Sequence, residues 1–247
     1  MYDAKIPDKI IVALDVPTFD EARDLMEQLG NRPVAFKVGP QLFTSVGADI
    51  IREIKKRSKT LFLDLKFHDI PNTVARASEA ATELGIDIFD VHVAGGVEMM
   101  RGAAEATKSK AAELGIKKPI ILGVTILTSI DETTLQTVFN SSSSLQDQIV
   151  HMARLAQSAG LDGVVASPRE IQLIRAACGD GFVVLTPGAR PEWASKDDQK
   201  RTMTPAQAFA AGADYVVIGR PIYRSADPAA ALDRIFRELG EDLQTLQ

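Results

Sequence analysis

"LFLDLKFHDIPNTVARASEAATELGIDIFDVHV", residues 61–93, reads as strand, helix, strand. Its two short runs rich in Leu, Ile, Phe and Val (61–67 and 88–93) flank a longer amphipathic stretch. That stretch stops at Leu84-Gly85, a helix C-cap signature. Two strands joined through a helix are the unit of a parallel sheet. The same alternation recurs along the chain, with further strands predicted at "KIIVALD" (9–15), "AFKVG" (35–39), "PIILGVTIL" (119–127), "GVVAS" (163–167), "FVVLTPG" (182–188) and "YVVIGR" (215–220). A helical pattern follows each. Gly30, Gly115, Gly160 and Gly212 repeat the stop signal, and Thr204-Pro205 supplies an N-cap followed by proline at the first helical position. The run "SSSS" (141–144) reads as a loop into the helix "LQDQIVHMARLAQSAG".

Eight such units with no composition break or linker predict an α/β chain of one domain, a (β/α)8 TIM barrel spanning residues 1–247. The competitor is an open doubly wound sheet. No G-x-G-x-x-G follows any strand, and "AGG" (94–96) is too little to replace it.

Composition narrows the function classes. With 28 Lys and Arg against 33 Asp and Glu the net charge is −5, which opposes a nucleic-acid or anionic-membrane binder. Lys55-Lys56-Arg57 reads as a solvated helix face. The lone Cys178 excludes an intrachain disulfide or a cysteine metal cage, and its apolar helix predicts a small buried residue. No apolar run approaches the ~20 residues of a membrane span, and "MYDAKIPDKI" lacks a signal-peptide core. A cytoplasmic protein is expected.

In a barrel the chemistry sits at the C-terminal ends of the strands. There the chain offers Asp15, Lys37, Asp64, Lys66, Asp69, His92, Thr128 and Gly219-Arg220. Lys37, Asp64, Lys66 and Asp69 can form an alternating array, in which each ion has an opposite neighbour in a partly dry site. Such an array is either a salt-bridge network of the rim or a device that holds Lys66 protonated and aimed. His68, Asp69 and His92 have metal-ligand chemistry but no ligand spacing, so packed rim histidines are expected.

The loops after strands seven and eight commonly cradle phosphate. Gly219 lets backbone approach an anion, and Arg220 adds a forked cation. The polar stretch "TPGARPEWASKDDQKRTMTP" is long for such a loop and reads as a lid at about 189–203, with Arg190 and Gln199 closing over an anion.

"DLKFHDIPNTV", with "LD" (14–15), "FKVG" (36–39), "VTILTS" (124–129), "TPGARP" (186–191), "DDQKR" (197–201) and "IGRPIY" (218–223), resembles the orotidine 5′-phosphate decarboxylase family over nearly the whole chain. The resemblance implies loss of CO2 from orotidine 5′-phosphate to give UMP, with no metal or organic cofactor, in a homodimer with shared active sites. It implies that Lys66 is the general acid at C6, that Asp64 faces the substrate carboxylate and that Lys37 contacts the ribose and orients Asp64. Asp69 and Thr73 would serve the neighbouring subunit's site. Asp15 would bind ribose hydroxyls, Thr128 (or Ser129) the pyrimidine edge, and Arg190, Gln199, Gly219 and Arg220 the phosphate. Two alternatives stand beside it: a metal-dependent phosphosugar decarboxylase or aldolase with the same D-x-K-x-x-D pattern, and a non-catalytic nucleotide-binding barrel.

Overall fold

The computed structural model describes residues 7–32, 34–194 and 203–245. Within them the eight strands close in sequence order into a parallel barrel: β1 (Ile10–Ala13), β2 (Ala35–Val38), β3 (Leu61–Phe67), β4 (Ile88–His92), β5 (Ile120–Val124), β6 (Gly163–Val165), β7 (Val183–Pro187) and β8 (Tyr215–Ile218). The closing pair is β1 with β8, Ile11 opposite Val217. The (β/α)8 expectation holds.

Two apolar layers follow from the period of two along a strand. One parity points inward: Ile11, Ala13, Ala35, Phe62, Ile88, Leu122, Val165, Leu185 and Val217 fill the barrel. The other parity, with Val12, Phe36, Leu63, Phe89, Val164 and Val216, packs beneath the helices. Strands with apolar residues on both faces are what a covered parallel sheet requires. Packing is close at β6, where a Cβ on Gly163 would stand 2.1 Å from the Val183 carbonyl oxygen.

The helix punctuation also follows the residues. Gly30, Gly85, Gly115, Gly160 and Gly212 all have positive φ. Thr204 caps Pro205–Ala210 with a reciprocal capping box to Gln207, and Ser144 caps Leu145–Ser158. Two expectations change. The fifth strand stops at Val124, not 127, because the chain turns there into the rim of the site. Cys178 is half-buried, since it is the last residue of Ile171–Cys178 and sits where that helix leaves the core. Among the described residues no helix is long and apolar enough to cross a membrane.

Candidate active site

Strands one to three deliver four charged side chains to the C-terminal mouth of the barrel. Asp15, Lys37, Asp64 and Lys66 share the parity of Ala13, Ala35 and Phe62, so the layer above the apolar filling is ionic. Lys37 Nζ lies 2.8 Å from Asp15 Oδ1 and 3.3 Å from Asp64 Oδ2. Lys66 Nζ pairs with the other oxygen of Asp64. The array therefore runs Asp15, Lys37, Asp64, Lys66. Gly39 is packed against it: a Cβ there would meet Lys37 Nζ at 2.9 Å and Asp15 Oδ1 at 3.3 Å.

Lys37 is only 8% exposed. Burial alone would lower its pKa, but the charges of Asp64 and Asp15 outweigh that and raise it. Asp64 is the mirror case. Burial pushes its carboxyl up, while Lys37 and then Lys66 bring the balance below the ordinary carboxylate value. Both ions are held charged by one another.

Lys37, Asp64 and Lys66 form one side of a cavity of about 180 Å³, whose remaining surface includes Phe62, Val124, Ile126, Val165, Leu185 and Val217. Thr128 lines it and Ser129 does not. A charged edge facing an apolar bowl suits a flat ring carrying an anionic substituent. A larger groove of about 450 Å³ lies between the Trp193 segment and the C-terminal helix Pro228–Thr245, but no member of the array reaches it.

Asp69 stands apart. Its carboxylate accepts the backbone amide of Ile70 at 2.6 Å, and no ion pair joins it to the array among the described residues. The fourth place expected for it is taken, within this chain, by Asp15. Asp69, the 67%-exposed Ile70 and the exposed Thr73 turn outward together. The rings of His68 and His92 lie against each other with centroids 5.2 Å apart. Burial, then the nearby His68 and Lys66, lowers the His92 pKa.

At β8, Gly219 adjoins the array: a Cβ there would be 3.4 Å from Ala13 Cβ and 3.8 Å from Asp15 Oδ2. Arg220 begins the short helix Arg220–Tyr223 and is half-buried. After β7, the Arg190 amide donates to the Met203 carbonyl at 2.9 Å, so the two feet of the long loop meet. Trp193 lies under the Arg234 guanidinium, 4.7 Å from ring centroid to guanidinium carbon, and donates to Glu238 at 3.0 Å. Gln199 lies outside the described residues.

The sequence pattern of the "Orotidine 5'-phosphate decarboxylase / HUMPS family" matches residues 8–235. The chain belongs to this family. Among similar members, the orotidine 5'-phosphate decarboxylase of Moorella thermoacetica is 49% identical over 232 residues, covering 94% of this chain and 92% of that one. The one from Geobacter sulfurreducens is 50% identical, covering 94% and 96%. A crystal structure of orotidine 5'-phosphate decarboxylase from Lactobacillus acidophilus superposes with a TM-score of 0.83 at 35% identity, over 93% of this chain and 98% of that one.

The geometry singles out one further residue. Asp90, on β4, is 1% exposed and its Oδ1 accepts the Lys66 amide at 2.8 Å. It shares the inward parity of Ile88. An aspartate inside "IFDVHV", on the face that fills the barrel, is the signal by which it could have been found.

Proposed function

We propose that the protein decarboxylates orotidine 5′-phosphate to UMP and CO2, the last step of pyrimidine synthesis, in the cytoplasm and without metal or organic cofactor. The observation that carries this reading is the Asp15–Lys37–Asp64–Lys66 array at the edge of an apolar cavity, in a chain of this family. We take the whole chain as one catalytic domain whose lid spans about 189–203.

Loss of CO2 from C6 leaves an electron pair on a ring carbon with little resonance help, so the uncatalysed barrier is very high. The bonding pair of the C6–carboxylate bond stays on C6 as CO2 departs. The Lys66 ammonium then gives a proton to C6 and regains one from solvent. A fixed cation beside C6 interacts more strongly with the developing anion than with the substrate, which is the differential binding that raises a rate. Asp64, kept ionised by its two lysines, faces the substrate carboxylate and opposes the ground state more than the transition state. Lys37 holds Asp64 and reaches the ribose with Asp15, while Thr128 meets the pyrimidine edge. Arg190, Gln199, Gly219 and Arg220 grip the phosphate, whose binding energy helps close the site.

Asp69 and Thr73 act in the neighbouring subunit's site of a homodimer. Support for this comes from their outward direction beside Ile70, a large apolar side chain that a partner would cover. Mixing Asp69→Ala with Lys66→Ala subunits is expected to restore partial activity, because one composite site in the hybrid is intact. No recovery in a verified hybrid would sink the shared site.

The test of the reaction is to incubate the protein with orotidine 5′-phosphate, with and without EDTA, and follow pyrimidine absorbance. Loss of substrate insensitive to EDTA is expected. Loss abolished by EDTA would favour the metal-dependent phosphosugar relatives. Binding without turnover would favour a silent nucleotide-binding barrel.

A further inference from the structure

The ladder between β3 and β4 breaks where the array is built. Phe62 pairs with Ile88 and Leu63 with Phe89, but the next partners are Phe67 and Val91. Three residues of β3 (Asp64, Leu65 and Lys66) thus face one residue of β4, Asp90. Two extra residues are packed into β3, and Lys66 takes the left-handed backbone region at φ 51°, which a non-glycine residue rarely adopts. Such a bulge strands backbone amides that the ladder would have paired.

The Lys66 amide is not stranded, because Asp90 Oδ1 accepts it at 2.8 Å. Asp90 Oδ2 is buried and meets no partner in hydrogen-bond geometry, yet the Asp64 carboxyl lies close enough for each to shift the other. We infer that Asp90 is a positioning residue of the reaction: it pins the twisted Lys66 backbone from beneath, so that the Lys66 ammonium points at the reacting carbon, and it backs Asp64.

The surroundings of Asp90 agree with this. Burial raises its carboxyl well above the ordinary range, and the Asp64 charge adds to the rise, while Lys66 opposes it. A rise in that direction favours the uncharged form of the carboxyl beside Asp64. Asparagine copies that state closely, with one oxygen for the Lys66 amide and an N–H for Asp64. Valine removes both at nearly the same volume.

The inference rests on the proposed decarboxylation, so the experiment includes a readout independent of it. Parent, Asp90→Asn and Asp90→Val are compared for kcat and KM with orotidine 5′-phosphate, and crystal structures of the two variants report the backbone at residue 66. Asp90→Asn is expected to keep kcat within about threefold. Asp90→Val is expected to lower kcat about 100-fold, the cost of misplacing a catalytic group, with KM changed less than about threefold. In its structure residue 66 leaves the left-handed region. A Val variant with parental kcat, or one whose residue 66 keeps its φ, would overturn the inference. So would an Asn variant as poor as Val. If Val fails to fold, the Asn variant alone decides between rescue and loss. A parent inert toward orotidine 5′-phosphate would instead refute the proposed reaction, and the backbone comparison would still stand or fall by itself.

Discussion

The two ends of the barrel use carboxylates in opposite ways. On the N-terminal end, Asp87, Asp162 and Asp214 each precede a strand and repeat one arrangement. Asp87 accepts the Leu61 amide at 2.8 Å and pairs with Lys55 at 2.7 Å. Asp162 accepts the Ile121 amide at 2.9 Å and pairs with Lys118 at 2.6 Å. Asp214 accepts the Val184 amide at 2.8 Å and pairs with Arg175 at 2.5 Å. Each carboxylate ties one strand to the next and meets one cation, half in solvent. At the C-terminal end Asp64 is shared between Lys37 and Lys66, and the group that holds a strand amide, Asp90, forms no ion pair among the described residues. One end satisfies its charges locally and stabilises the closure. The other leaves an ammonium against a cavity, where in the proposed reaction the substrate completes the set.

Removing one charge from each end sharpens this contrast. Lys66→Ala is expected to fold normally and lose turnover by about 10⁴-fold, the scale of a general acid combined with a fixed cation. Substantial residual activity would show that the array is structural at this end too. Arg220→Ala is expected to lower kcat/KM by about 10- to 100-fold, as loss of a charge-assisted phosphate contact would, and Gln199→Ala should fall in the same direction. Nucleoside and nucleotide responding alike would break the phosphate assignment. Asp214→Ala belongs to the other end. Loss of about 1–3 kcal/mol in a denaturant melt is expected, with steady-state kinetics of the parent. A kinetic defect without a stability loss would erase the distinction between the ends.

The smallest effect is a pH dependence. Asp64 has a lowered folded pKa, so its ionised form stabilises the fold above the ordinary carboxylate value of about 4. That contribution drains away as pH falls below this value and through the lower folded one. Asp64→Asn should flatten the fall in stability over that acid window, and melts at stepped pH will read it.

Much of the fold is legible because a parallel barrel writes itself as repeated apolar runs separated by helices, many of which stop at a glycine. The lysines and Asp64 are legible because charge on the interior parity of a strand is costly unless the ions serve one another or a ligand. Period-two reasoning has no access to an inserted bulge, so neither the twist at Lys66 nor the need for Asp90 follows from it. Asp69 reads as part of a local array because it is near in sequence, whereas its side chain turns outward after the strand ends. The Gly-x-Asp repeat at 85–87, 160–162 and 212–214 is open to view. Its glycines read as helix stops, while the aspartates two residues on pass as loop polarity. Lys55, expected on a solvated face, is a partner in that repeat.

The bond from the Arg190 amide to the Met203 carbonyl has a bearing on how such enzymes diversify. The segment between them is joined to itself at the base, and just past its first foot Trp193 is anchored on the C-terminal helix through Arg234 and Glu238. Its length can change at a cost that grows with the logarithm of the residue number, about 0.6 kcal/mol per doubling. A closed foot is therefore a place where chain length can change while the barrel beneath keeps its register.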